Sequence, residues 1–259
     1  FVDDRCIDCD QCRELAPSVF GDGDGHALVA RQPADGPERR RAGMAVLTCP
    51  VGAIGGAPAV DALPELIEDD VWFCGYASEK SFGASSYLIR RPSGNVLVDS
   101  PRFTAPLVQR LDALGGVSLL VLSHGDDVAD HAKFRERYGC DRVMHVADAD
   151  FAAERPVDGL SAVDLAPDLR VIPVPGHTAG SIALLHREKF LFTGDHLWWD
   201  PGQRSLAASR RYCWHSWEEQ KRSMARLAAA RFEWVLPGHG RRAKLPDGPA
   251  AVAALAARM

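Results

Sequence analysis

A chain of 259 residues with 46% hydrophobic and 25% charged residues has the balance of a soluble globular protein, long enough for one large domain or two. No apolar run approaches the roughly 20 residues that span a bilayer, no secretory h-region opens the chain, and a net charge of −5 argues against nucleic acid as the main partner. Seven cysteines, three of them at intervals of three, make poor disulfide arithmetic and good metal arithmetic, so a reducing, cytoplasmic setting is expected.

In chain order the first informative element is Cys6-Ile7-Asp8-Cys9-Asp10-Gln11-Cys12, followed far downstream by Cys49-Pro50. Thiolates spaced in this way wrap a loop around one corner of an iron–sulfur cubane, and a remote Cys-Pro supplies the last iron. Only one such run exists, so Cys49 is expected to close a single [4Fe–4S] centre. A structural zinc site is the alternative, but three ligands in seven residues crowd a tetrahedral ion, whose motifs usually pair two C-x-x-C arms. With Ala16-Pro17 and Cys49-Pro50-Val51-Gly52-Ala53-Ile54, residues 1–58 resemble a bacterial monocluster ferredoxin. Cys74, Cys140 and Cys213 stand alone and read as small buried apolar residues. Between the cysteine groups, Gly21-Asp22-Gly23-Asp24-Gly25 reads as a turn; it lacks the later ligands of an EF-hand loop. Glu38-Arg39-Arg40-Arg41 reads as a solvated helix face. Gly55-Gly56-Ala57-Pro58 marks a loss of regular structure, which places a domain boundary near residues 58–70.

Beyond that boundary, residues 86–90 and 96–99 around Ser93-Gly94-Asn95 read as strand, turn and strand. A helix is expected over 104–114, with Leu107, Leu111 and Leu114 at helical spacing. The apolar run 117–122 reads as a buried strand, followed by a polar loop and a helix over 128–138. Strands are expected over 142–146, 169–174, 181–185 and 190–192, the last two forming a hairpin about His186-Arg187-Glu188-Lys189. Ser216-Trp217-Glu218-Glu219 is a capping box that opens a helix to about Ala230. A strand over 232–236 and an Ala-rich helix over 249–259 complete the chain. Hairpins mixed with alternating strands and helices suggest two sheets between helices, an α/β chain of the α+β kind.

The chemistry gathers in the loops that follow strands. Ser123-His124-Gly125-Asp126-Asp127-Val128-Ala129-Asp130-His131 packs two imidazoles and three carboxylates into a short span, which is costly to bury unless a cation sits among them. Pro175-Gly176-His177-Thr178-Ala179-Gly180-Ser181 places a His in a Gly-bounded turn. Phe192-Thr193-Gly194-Asp195 places an Asp at a strand end, and Pro237-Gly238-His239-Gly240 again a His. Loops on a rigid scaffold can aim such groups at one point. Together and in this order, these segments resemble the metallo-β-lactamase superfamily over residues 70–259. The resemblance implies an αββα sandwich with one or two metal ions at a sheet edge. It carries His124, Asp130, His131 and His177 over as ligands, with His239 at the second ion and Asp195 bridging both. The superfamily's opening pattern is His-x-His-x-Asp-His; here two residues are extra and the second His is missing, so either Asp126 or Asp127 takes its place or that ligand is gone. Asp126 keeps the two-residue spacing from His124 and is preferred.

A carboxylate in place of an imidazole shifts preference from zinc toward iron or manganese. The remaining histidines, His26, His145, His186 and His196, are expected to be without a chemical role. Tyr212-Cys213-Trp214-His215, with Trp198, Trp199 and Trp217, would wall a pocket for a small-molecule substrate, and His215 is a candidate proton donor. Two functions follow. In a redox enzyme, the cluster passes electrons from an external donor to a non-haem iron centre, much as a flavin domain feeds di-iron members of the superfamily. In a metal-dependent hydrolase of esters, thioesters or phosphoesters, Asp130 orients a metal-activated water. Hydrolysis needs no electron carrier, which favours the oxidoreductase.

Overall fold

A computed structural model describes residues 1–259. The chain packs as two compact units, residues 1–120 with 128–140, and residues 121–127 with 141–259.

In the first unit, helix α1 (Gln11–Leu15) carries Cys12, and a small hairpin pairs β1 (Phe20–Asp22) with β2 (Ala27–Val29) around the expected glycine turn. Helix α2 (Gly36–Thr48) starts where Asp35 accepts a hydrogen bond from the Glu38 amide and Pro37 fills the first turn. It stops at Cys49 because Pro50 follows and disfavours helical backbone before it. Strands β3 (Glu65–Glu68), β4 (Val71–Phe73), β5 (Tyr87–Ile89) and β6 (Val96–Val98) form an antiparallel meander. Every residue of β5 and β6 is buried, which explains why their sequences run apolar rather than alternating. Helix α3 (Ala105–Ala113) turns Leu107 and Leu111 inward, and β7 (Leu119–Val121) follows.

Helix α4 (His131–Tyr138) begins three residues later than its sequence pattern suggests. Residues Gly125–Asp127 make a 3₁₀ turn instead, and Ala129 takes a positive φ of 35°. Asp130 is the residue before α4, and its buried carboxylate is anchored within this unit. Oδ1 accepts from Lys80 Nζ at 2.8 Å and pairs with Lys133 Nζ at 3.2 Å, while Oδ2 accepts from the Phe103 amide at 3.0 Å.

The second unit opens with β8 (Asp141–His145), parallel to β9 (Arg155–Val157). Its main sheet is built from β10 (Val163–Ala166), β11 (Leu169–Pro173), β12 (Ile182–His186) and β13 (Phe190–Gly194). After a hairpin of β14 (Trp198–Asp200) and β15 (Ser205–Ala207) come α5 (Trp217–Ala228), β16 (Trp234–Pro237), β17 (Ala243–Lys244) and α6 (Gly248–Ala256). The sheet order is β10-β11-β12-β13-β16-β17. Because β12 runs antiparallel to both β11 and β13, those two point the same way, and β16 is parallel to β13. The C-terminal ends of β11, β13 and β16 therefore share one sheet edge.

Ser216 caps α5 by accepting from the Glu219 amide, as its sequence suggests. Gln220, Ser223, Met224 and Leu227 recur at helical spacing on the buried face of α5. Met224 and Leu227 join Ile172, Leu191, Val235, Val252 and Leu255 in one apolar cluster behind the sheet. Leu227 is fully buried, so Leu227→Ala should cost roughly 2–5 kcal/mol in urea denaturation without altering the metal bound per folded molecule.

Candidate metal centres

Two sets of side chains converge in ways that invite metal. In the first unit, Cys6, Cys9, Cys12 and Cys49 line one pocket, walled by Val2, Ile7, Ala27, Ala53 and Ile54. None of the four forms a disulfide. The Ala27 amide donates to Cys6 Sγ at 3.4 Å and the Ala53 amide to Cys49 Sγ at 3.3 Å. Burial pushes the Cys9 thiol up to about 11 and the Cys12 thiol up to about 12, and neighbouring thiols add to both shifts. Thiolates become stable in such a pocket only against positive charge, and iron supplies it. Four thiols free of disulfides around one apolar pocket, with amide hydrogen bonds to Cys6, Cys9 and Cys49, fit a cubane.

The second set lies in the second unit, where the loops after its strands meet. His124 follows β7 and is 1% exposed; its Nδ1 sits 2.8 Å from Ser123 Oγ, which leaves Nε2 buried with no hydrogen-bond partner. His177, in the turn after β11, directs Nδ1 at the Tyr212 carbonyl, 2.6 Å away. A carbonyl only accepts, so Nδ1 carries a proton, and in the neutral ring Nε2 presents its lone pair to the centre. This is the outer partner that a metal-binding imidazole needs to fix its tautomer.

Around these rings stand three carboxylates. Asp126 Oδ2 is 3.5 Å from His177 Nε2, and Asp195 Oδ2 lies 3.8 Å from both His124 Nε2 and His177 Nε2. Asp127 Oδ2 is 4.0 Å from His124 Nδ1. Asp195 also accepts from the His239 amide at 3.0 Å and meets His239 Nδ1 at 2.8 Å. Two overlapping groups could each hold a cation: His124, Asp126 and His177, and His124, Asp127 and Asp195, with ligand atoms within 4.8 Å of one another. A metal 2.0–2.2 Å from each ligand holds them about 3.3–4.3 Å apart, so the spacing suits a bound ion.

The electrostatics of the two rings differ. Burial lowers the affinity of His124 for a proton, keeping it neutral and able to ligate. For His177, burial acts in the same direction, but Asp126 and Asp195 outweigh it and leave the ring raised above its ordinary range. Burial would raise Asp195, yet His239, His124 and His177 together hold it well below the usual carboxylate range. An ionised Asp195 among imidazoles is thus the charge about which the centre is arranged.

Glycine makes this convergence possible at two positions. A Cβ on Gly194, whose φ is +50°, would lie 2.6 Å from Ser123 Oγ and 3.3 Å from His124 Nδ1. One on Gly238 would lie 2.5 Å from Asp127 Oδ2 and 2.8 Å from Asp195 Oδ1. The Thr-Gly-Asp and Pro-Gly-His-Gly signatures therefore keep backbone close to ligands where no side chain fits.

The choice between Asp126 and Asp127 rests on a helix that does not begin there. In the 3₁₀ turn the two carboxylates face different groups, Asp126 with His177 and Asp127 with Asp195, so the structure brings both to the centre. Neither group includes Asp130 or His131. Asp130 is bound to Lys80, Lys133 and the Phe103 amide within the first unit, and His131 opens α4. His215 is exposed, and its amide donates to the His177 carbonyl at 3.0 Å. Of the aromatic group, Tyr212 and Trp214 are exposed beside His177, with the Trp214 ring 6.1 Å from that imidazole. His196 is wholly buried and pushed down to about 3 by burial and by His177, so it stays neutral.

Asp148 is a further participant with no motif to mark it. Its carboxylate accepts from the Gly125 amide at 3.1 Å, the Thr178 hydroxyl at 2.5 Å and the Gly180 amide at 2.7 Å. It ties the His124 loop to the His177 loop. Only the density of small and hydroxylated residues around His177 hints at such a partner in the sequence.

Residues 2–56 match the family model of the 4Fe-4S single cluster domain of Ferredoxin I. No curated protein matches the chain. Among solved structures, VMB-1 is 18% identical with a TM-score of 0.57, over 75% of this chain and 95% of its own. The DIM-1 metallo-β-lactamase exposed to ceftazidime is 20% identical with a TM-score of 0.56, over the same shares of 75% and 95%. A metallo-β-lactamase with a HARLDQ motif from Cronobacter sakazakii is 21% identical with a TM-score of 0.51, over 70% of this chain and 81% of its own. The protein is thus a ferredoxin-like domain fused to a metallo-β-lactamase fold, a mixed α/β chain with an αββα sandwich.

Two outcomes separate positioning from support. Asp148→Ala should weaken metal retention roughly 10–100-fold in chelator competition while the fold persists, because the ligand loops lose their tie. Asp130→Asn should lower unfolding free energy by roughly 1–3 kcal/mol, the scale of a lost charged hydrogen bond, with metal content unchanged.

Proposed function

We propose that this protein is a metal-dependent oxidoreductase, in which a [4Fe–4S] cluster at Cys6, Cys9, Cys12 and Cys49 serves a non-haem iron centre of one or two ions. His124, Asp126 and His177 would hold one ion. Asp127 and His239 would hold the other, with Asp195 between them. The observation that carries this reading is the donor set, three carboxylates with the imidazoles of His124 and His177 and with His239 against Asp195, which is harder than the imidazole-rich set of zinc hydrolases and suits iron or manganese. When bound, the cluster supplies single electrons and the iron a redox-active Lewis acid.

The chain's own groups have separable tasks around that centre. Ser123, the Tyr212 carbonyl and Asp148 fix the two imidazole loops so that ligand atoms face inward. Asp126, about half exposed, lies on the solvent side, where a small-molecule substrate would enter. Trp214 and Tyr212 offer apolar surface at that rim, and exposed His215 could deliver a proton there. An external donor would supply electrons to the cluster.

A second reading, a metal-dependent hydrolase with a structural cluster, draws support from the metallo-β-lactamases that share the fold. Metal analysis and electron paramagnetic resonance after anaerobic purification distinguish the two. The oxidoreductase should contain about five or six irons per chain and no zinc, four of them from the cubane. About four irons with stoichiometric zinc would instead establish the hydrolase.

A further inference from the structure

Helix α2 ends at Cys49, and it carries no basic residue in its last turn. A helix C-terminus leaves carbonyls without partners and a partial negative charge, and a cation there satisfies both. That cation comes from far along the chain. Half-buried Arg102, in the segment after β6, donates from Nη2 to the Leu47 carbonyl at 3.0 Å and from Nη1 to the Pro50 carbonyl at 3.1 Å and the Cys49 carbonyl at 3.4 Å. Its own amide is tied to the Tyr76 carbonyl at 2.8 Å, so the guanidinium is held from behind.

A second contact presses on the opposite ligands. The turn after the 3₁₀ segment Glu79–Ser81 brings Gly83, with φ +88°, against the cysteine loop. A Cβ there would lie 2.6 Å from Cys9 Cβ, 2.9 Å from Cys9 Sγ and 3.3 Å from Pro50 Cγ. Gln11, buried between Cys9 and Cys12 in sequence, donates from Nε2 to the Gly83 carbonyl at 2.9 Å and to Ser85 Oγ at 2.8 Å. Both Cys9 and Cys49 are therefore held by residues outside the 2–56 match.

We propose that the cluster site is completed by residues 75–102, and that Arg102 is a positioning residue that sets both the hold on the cluster and its reduction potential. The inference rests on the cluster assignment above. A guanidinium stays charged, and its planar fork reaches carbonyls that one ammonium cannot serve together. Reduction adds a negative charge to the cluster, so a fixed positive charge on the peptide of one ligand favours the reduced form.

The test uses full-length protein, with an electron paramagnetic resonance redox titration and cluster release to an iron chelator. Wild type must first show a four-iron spectrum; its absence would defeat the cluster assignment and not this inference. Arg102→Gln should move the midpoint to a more negative potential and speed cluster loss about tenfold, as expected when an outer-shell partner of a metal site is removed. Arg102→Lys should restore most of the potential but not the release rate, since charge returns without the fork. Gly83→Ala should release the cluster faster by crowding Cys9, and it carries the test together with Arg102→Lys if Arg102→Gln fails to fold. A folded Arg102→Gln with wild-type potential and release, or Arg102→Lys and Gly83→Ala both indistinguishable from wild type, would overturn the proposal.

Discussion

The second unit depends on one constraint: carboxylates packed away from water stay ionised only where a counter-charge faces them. Asp195 is held ionised among His124, His177 and His239, and Asp127 is 1% exposed beside them. An uncompensated buried charge costs several kcal/mol, and breaking one partner of such a set is correspondingly severe. Much of the surrounding construction serves that requirement. The parallel course of β11, β13 and β16 brings three loops to one edge, and Gly194 and Gly238 admit close backbone approach. Asp148 then fixes the two histidine loops against each other.

The first unit solves a related problem with different means. Burial raises the cost of ionising Cys9 and Cys12, neighbouring thiols add to it, and the apolar pocket gives no relief. Amide hydrogen bonds to Cys6 and Cys49 address part of this, as does the termination of α2 at a ligand. Arg102 then neutralises the helix end on which that ligand sits. In both units the candidate ligands are local in sequence or marked by glycine, whereas the groups that hold them are remote.

That difference decides what was legible in the chain. The cysteine run and the Gly-His, Gly-Asp and Gly-His-Gly loops stand out because ligand spacing and tight turns are local properties. Helices α3 and α5 and the β12–β13 hairpin follow from periodicity and a capping box. Edge strands β9 and β10 do not, since they are short and half exposed and carry no alternating pattern. The 125–131 segment misleads because its polar residues fit a helix equally well from 128 onward. A 3₁₀ turn takes 125–127 instead, which brings Asp126 and Asp127 both into the centre and leaves Asp130 to a lysine-bound anchor. Asp148 and Arg102 act only through tertiary contacts, so nothing in their immediate sequence announces them.

The imidazole–carboxylate set is proposed as a metal centre in which Asp195 is shared. Crystals of anaerobically purified protein, measured at the iron and zinc absorption edges, test it most directly. An iron peak is expected among His124, Asp126, His177 and Asp195, separate from the peaks of the cubane at the four cysteines. No anomalous peak within ligand distance of those four residues, or a metal held by Asp130 and His131 instead, would contradict it.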